Sequence, residues 1–189
     1  MSFNVLLTGS TGFVGSNLSP YLSSKSSRRI IPFDRQTDKI DLTNIDIVIH
    51  LAGKAHDLKN VAQPEEYFDA NYVLTKKLFD AFLSSTASVF IFMSSAKAAA
   101  DSIKGILTEE IIPKPKTVYG QSKLAAEEYI LSKTNRNKKI YILRPCMIHG
   151  PNNKGNLNLL YTFISNGIPY PFGSYNNRRS FLSVDNLCF

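Results

Sequence analysis

Thr8-Gly9-Ser10-Thr11-Gly12-Phe13-Val14-Gly15 decides the fold, because three glycines at intervals of three join an apolar run to an amphipathic one. Upstream, Phe3–Thr8 reads as a strand; downstream, Phe13–Ser23 reads as a helix. Glycine at 9 allows a tight turn, at 12 it lets the backbone approach a pyrophosphate, and at 15 it lets helix and strand pack closely. Amide N–H groups at a helix start, with the positive end of the helix dipole, suit an anion. The strand–turn–helix setting makes Gly9, Thr11, Gly12, Phe13, Val14 and Gly15 candidates for holding a dinucleotide.

Working outward, short apolar runs alternate with longer amphipathic ones. Strands are expected over 29–33, 45–51, 89–93 and 139–143, the last stopping at Arg144-Pro145. The run Ile-Asp-Ile-Val-Ile-His-Leu at 45–51 suits a strand buried on both faces. A helix opens at Pro64-Glu65-Glu66, with proline in its first turn and acids at the positive dipole end, and runs to about Leu83. Another spans 119–133. This alternation predicts an α/β fold, a Rossmann-type doubly wound parallel sheet with helices on both faces.

After Pro151 the texture changes: Asn, Gly and Pro become frequent, with one helix over 157–165 and a short strand over 181–184. A helix start at Asp185, a few residues from Phe189, suggests an element that continues. The expectation is a nucleotide-binding domain over 1–150 and, over 151–189, the beginning of a carboxyl-terminal substrate region, truncated.

Bulk properties bound the function. The chain has 189 residues, 43% hydrophobic and 20% charged, with a formal net charge of +7. Its basic groups (Arg28-Arg29, Lys114 and Lys116, Arg136 with Lys138-Lys139, Arg178-Arg179) are dispersed rather than gathered in one stripe. They read as solvated surface, with some attraction for an anionic ligand, and not as a nucleic-acid footprint. Cys146 and Cys188 lack metal-ligand spacing, so buried reduced thiols are expected and neither metal nor disulfide. No leader pattern or bilayer-length apolar run is visible, which points to the cytoplasm and away from a membrane.

Asp34 follows the glycine turn by about twenty residues, where an acid holds the adenosine ribose hydroxyls and repels a 2′-phosphate. NAD is favoured over NADP, although neighbouring Arg35 could accommodate the extra phosphate. Tyr119 and Lys123 stand at i and i+4 on one helix face. A phenol with a pKa of about 10 is a poor base at neutral pH. A nearby ammonium favours the phenolate, which can then take a proton from a sugar hydroxyl. Ser94-Ser95 end a strand at the side of the sheet where ligands bind; a strand-end turn is the plainer alternative. Asn71 lies among apolar residues of its helix, as an active-site support or as a buried polar spacer.

Seven elements stand in order: Thr8-Gly9-x-x-Gly12-x-x-Gly15, His50-Leu51-Ala52-Gly53, Asn71, Ser94-Ser95, Tyr119-x-x-x-Lys123, Arg144-Pro145 and Arg179-x-Phe181-x-x-Val184-Asp185. The chain resembles the extended short-chain dehydrogenase/reductases, in the nucleotide-sugar epimerase/dehydratase branch that includes UDP-glucose 4-epimerases. The resemblance implies Tyr119 as general base, Lys123 holding the nicotinamide ribose, and Ser95 on the substrate hydroxyl. It implies Asn71 behind the active site, with Leu51, Ala52, Gly53, Ser94 and Pro145 beside the cofactor. Arg179 would meet the substrate diphosphate, and a homodimer would form through the helices carrying Asn71 and Tyr119. His56 and His149 read as loop or pocket-edge residues.

Two features depart from the common pattern: Gly53 replaces an alanine, and Ser95 is followed by Ala96-Lys97. The Ser-Ser-x-Lys form resembles bacterial surface-polysaccharide enzymes, which include reductases of 4-keto amino sugars. The expected activity is therefore a UDP-hexose 4-epimerase working through a 4-keto sugar. The alternatives are an NAD(P)H-dependent reductase of a UDP-4-keto sugar and a non-catalytic nucleotide-binding module.

Overall fold

The computed structural model describes residues 3–25, 27–33, 40–55, 63–133, 137–151, 153, 156–169 and 178–189. Five strands, β1 (Phe3–Thr8), β2 (Arg28–Pro32), β3 (Ile47–His50), β4 (Val89–Met93) and β5 (Lys139–Leu143), form one sheet in the order β2-β1-β3-β4-β5. Every pairing is parallel. The doubly wound sheet expected from the alternation is thus observed, with β3 shorter than the run 45–51.

Period-two alternation assigns each strand residue to a face. Leu6, Val48, Phe90 and Phe92 point to one side, where they pack with Leu78, Phe79 and Phe82 of α3 (Leu74–Ser84) and Ala126 and Ile130 of α4 (Val118–Ser132). Val5, Leu7 and Ile49 point to the other, against Leu22 and Leu18 of α1 (Phe13–Ser23). The four phenylalanines are fully buried and their rings meet at centroid distances of 5.1–5.9 Å where they touch.

The edges are guarded in different ways. On β2, Arg28, Arg29 and Pro32 are exposed, a composition that discourages pairing with a further strand. On β5, Tyr141 and Leu143 stay exposed on the face opposite α4. Lys138, just before β5, donates to the carbonyls of Phe82, Ser85 and Ala87 at 2.7–2.8 Å, and so caps the end of α3.

The helix expected from Pro64 to Leu83 is not uniform. A regular turn, α2 (Pro64–Phe68), passes into a π turn over Asp69–Val73, where the Leu74 amide donates to the carbonyl of Asp69, and continues as α3. Beyond β5 lie β6 (Met147–His149), α5 (Asn156–Ser165), β7 (Phe181–Ser183) and α6 (Val184–Cys188). The strand β6 is unforeseen; it pairs in parallel with β7 in a separate two-stranded sheet. Val184 opens α6 rather than ending the strand. No helix among the described residues is long and apolar enough to cross a membrane.

Candidate active site

The glycine turn lies at the carboxyl ends of the strands. Gly9 has φ of +70°, a left-handed conformation, and accepts from the Gly12 amide at 3.0 Å. A Cβ on Gly9 would lie 2.8 Å from the Ala52 nitrogen, and one on Gly15 only 2.2 Å from the Gly9 carbonyl oxygen. Both positions therefore require glycine, for two different close approaches. Gly12 caps α1 without a side-chain hydrogen bond. The turn, Phe33 and the Leu51–Ala52–Gly53 segment line an open cleft of about 360 Å³. A backbone cradle at a helix N-terminus fits a pyrophosphate. A larger hollow, about 500 Å³, flanks the amino ends of β3 and β4, away from this turn. Asp34, Arg35 and His56 lie outside the described residues.

The first turn of α4 carries Tyr119 and its second carries Lys123. Lys123 is almost fully buried, donates to the Met93 carbonyl at 2.8 Å and lies 4.8 Å from the centre of the Phe92 ring. Burial pulls its pKa down to about 8, and the carboxylate of Glu127 counteracts that pull. Burial pushes Tyr119 above its usual value, opposed by a hydrogen bond with the Ser95 hydroxyl. Gly53 joins this group to the cleft. A Cβ there would come within 2.6 Å of Asn71 Oδ1 and 3.1 Å of Lys123 Nζ.

Asn71, fully buried in the π turn, accepts from the Lys54 amide at 2.8 Å and donates to the Lys54 carbonyl and to Ser122 Oγ, at 3.0 and 2.9 Å. Ser122 in turn donates to the Tyr119 carbonyl. Thr75 donates to the Asn71 carbonyl at 2.6 Å, so its oxygen accepts from His50 Nε2 at 2.8 Å. The directions fix the histidine tautomer: Nε2 carries the proton and Nδ1 accepts from Thr8 Oγ1 at 2.6 Å. Thr8 Oγ1 also accepts from the Ala52 amide. A single buried polar chain therefore links the entry to the glycine turn with the helix bearing Tyr119.

The remaining positions are placed as follows. Pro145 accepts from the Ala96 amide at 3.0 Å, beside Ser95. Ser94 is buried, with its hydroxyl given to Glu127. Arg179 is exposed ahead of β7 and is not brought to the Tyr119–Lys123 pair by any described contact. His149 sits on β6, not in a loop, with its ring edge-on to Phe181. Both cysteines are free, Cys146 half-buried and Cys188 buried.

The family model described as "NAD dependent epimerase/dehydratase family" matches residues 5–189. The chain belongs to this family. A relative among the epimerases/dehydratases is a UDP-glucose 4-epimerase of Vibrio cholerae, 33% identical over 212 residues, covering 99% of this chain and 65% of the relative. Another is a UDP-2-acetamido-2,6-beta-L-arabino-hexul-4-ose reductase of Pseudomonas aeruginosa, 30% identical over 193 residues, covering 97% of this chain and 47% of the relative. This family member thus spans between about half and two-thirds of the length of these two proteins. Among solved structures, the UDP-glucuronic acid 4-epimerase of Bacillus cereus, bound to UDP-glucuronic acid and NAD, superposes with a TM-score of 0.83 at 23% identity. That match covers 98% of this chain and 71% of that one, and it shares the Rossmann fold.

Sequence reasoning missed Glu127 and gave Arg144 no partner; the two form a bidentate ion pair through Arg144 Nε and a terminal guanidinium nitrogen at 2.5–3.1 Å, with Glu127 fully buried. The spacing of Tyr119 and Lys123 recurs one helical turn on at Glu127, but on a glutamate-rich helix that spacing alone does not single the acid out. It also missed Asp101, which accepts from the Lys116 and Thr117 amides and the Thr117 hydroxyl at 2.6–3.1 Å. Thr117 is the N-cap of α4, accepting from the Gly120 amide at 3.2 Å. No local pattern ties Asp101 to a residue fifteen positions on.

Proposed function

We propose that the chain carries the cofactor-binding and catalytic part of an NAD-dependent nucleotide-sugar epimerase of the UDP-hexose 4-epimerase kind. The observation that carries this reading is the convergence of Lys123 and Asn71 on Gly53, at the wall of the glycine-lined cleft, with Ser95 bonded to Tyr119 beside them. The 33% identity to a UDP-glucose 4-epimerase supports the choice of reaction.

The turn from Gly9 to Gly15, with Thr11, Phe13 and Val14, would hold the dinucleotide pyrophosphate, and Leu51, Ala52, Gly53, Ser94 and Pro145 would flank the rest. The acid at position 34 favours NAD over NADP. When bound, the dinucleotide supplies the hydride acceptor and donor for the sugar C4. Tyr119 takes the C4 hydroxyl proton as a phenolate, and Ser95 steadies the same oxygen. Lys123, charged below about pH 8, favours that phenolate. In an epimerase the 4-keto sugar then receives a proton back from Tyr119 on its oxygen, with hydride returned to the opposite face. Residues 151–189 are assigned to the start of the sugar-binding region, with Arg179 facing the diphosphate and the substrate UDP-linked.

A second reading, an NAD(P)H-dependent reductase of a UDP-4-keto sugar, is favoured by the 30% identity to such a reductase and by Lys97 after Ser95-Ala96. One experiment separates them: the purified protein is incubated with a panel of UDP-sugars, with and without added NADH or NADPH. Interconversion of UDP-hexoses without added reductant supports the epimerase. Consumption of reduced cofactor on a 4-keto substrate supports the reductase, and NAD binding without turnover overturns both for this chain. Tyr119→Phe should abolish turnover while NAD affinity changes by less than about threefold, since it removes a group acting only in the reaction. Full activity in that variant would remove Tyr119 from its role.

A further inference from the structure

Glu127 is a buried carboxylate that the proton transfer outlined above does not use. It stands one helical turn beyond Lys123, and its oxygens accept from Ser94 at the end of β4 and from Arg144 at the end of β5. The Ser94 amide donates to the Leu143 carbonyl at 2.8 Å, and the Ala96 amide to that of Pro145. Glu127 thus closes a joint at which two strand ends and α4 meet, immediately before Ser95 and one turn from Lys123. Burial of a carboxylate is costly unless it is paired and hydrogen-bonded, and here both conditions hold.

The surroundings of Lys123 leave Glu127 a particular task. From β4, Lys123 meets the Met93 carbonyl and the Phe92 ring, and its Nζ shares with the neutral Asn71 amide the border of the space that a Cβ on Gly53 would fill. On α4 itself stand Tyr119 and Glu127. Arg144 carries a positive charge of its own and is bound to Glu127. Glu127 stands four residues on from Lys123 on the same face of α4, both side chains are buried, and its charge favours the ammonium against the pull of burial.

We propose that Glu127 is a positioning residue of this active site, which clips the ends of β4 and β5 to α4 and acts as counter-ion to Lys123. The inference rests on the assignment of Tyr119, Lys123 and Ser95 made under Proposed function. A purely structural clip would hold the strands but leave the lysine's titration where it is. A counter-ion sets that titration directly, because a neighbouring anion favours the charged form of an amine.

The test is a titration of the full chain by carbon-13 NMR, with lysine labelled at Cε and the Lys123 signal assigned by its loss in Lys123→Met. Glu127→Gln should move the Lys123 midpoint below that of the parent. In the same variant kcat should fall roughly tenfold at mildly alkaline pH, the loss expected when about one pKa unit separates two protonation curves, and fall less in acid. If Glu127→Gln does not fold, Arg144→Gln is compared with the Arg144→Gln/Glu127→Gln double variant, which leaves no unpaired buried charge. The midpoint should then be lower in the double variant than in the single one. An unmoved Lys123 midpoint in either comparison overturns the proposal. A displaced midpoint in a protein that turns over no nucleotide sugar upholds the counter-ion and sinks the enzymatic reading instead.

Discussion

At the scale of single residues, the site is governed by atoms that a slightly larger side chain would displace. Gly53 is the sharpest case, since the space its missing methyl leaves is bordered by Asn71 Oδ1 and Lys123 Nζ. Gly53→Ala must push one of them aside. We expect about 1–3 kcal/mol of destabilisation, as for other insertions into packed space, read as a lower midpoint in urea unfolding. The kcat should fall about tenfold or more, because small displacements of positioned groups are costly to catalysis. An alanine variant with parental stability and rate would show that the two side chains yield freely. Glu127 and Lys123 teach the complementary lesson. Each is nearly sealed from solvent, and both were open to inspection in the sequence, yet only the lysine fell into a recognisable four-residue spacing with tyrosine. On an alanine- and glutamate-rich helix the acid reads as solvated surface until its partners on β4 and β5 are known.

At the scale of elements, α4 must start at a fixed place if Tyr119 is to meet Ser95. Thr117 caps the helix, and Asp101 holds it there by accepting from the Thr117 amide and hydroxyl and from the Lys116 amide. Asp101→Ala should cost about 1–2 kcal/mol, the range for a lost helix cap, seen as a lower melting temperature at neutral pH. Burial alone would raise the Asp101 pKa, but the bonds from Lys116 and Thr117, with Lys97 nearby, hold it below the ordinary carboxylate value. Its folded value lies below its unfolded one, so its contribution is complete above about pH 4 and fades as the pH falls through the folded pKa. The melting difference between parent and Asp101→Ala should therefore narrow on acidification; a constant gap would count against the assignment. The elements themselves were largely readable, because β1, α1, β4 and β5 follow from local periodicity and the glycine turn from its flanks. Two were not. The π turn at Asp69–Val73 has no residue signature, and its purpose becomes visible only when Asn71 is found bridging Lys54 and Ser122. The three residues of β6 follow a proline stop, and their partner lies more than thirty positions later, beyond the reach of any window of sequence.

At the scale of the whole molecule, the two faces of the sheet are unequally covered. α3 and α4 seal one face from β1 to β5, whereas α1 covers the other over β1 and β3, leaving Tyr141 and Leu143 of β5 in contact with solvent. Adjoining exposed apolar side chains favour association. Sedimentation should show concentration-dependent association of the parent, weaker when Tyr141 and Leu143 are both replaced by lysine, with a change in stability within about 1 kcal/mol, because surface positions tolerate substitution; a parent that stays monomeric would count against this surface. Unchanged association would place the sticky surface elsewhere. Between the faces runs the buried polar chain from Thr8 through His50, Thr75, Asn71 and Ser122 to Tyr119. All its hydroxyl and imidazole hydrogens are committed, and none can turn without breaking the next. The Nε2 hydrogen of His50 is therefore locked away from water, and in heavy water it should exchange for deuterium only when the glycine-turn entry and the Tyr119 helix part company. The chain contains three histidines, so that one slow hydrogen is a clock, built into the protein, for how often its two working halves come undone.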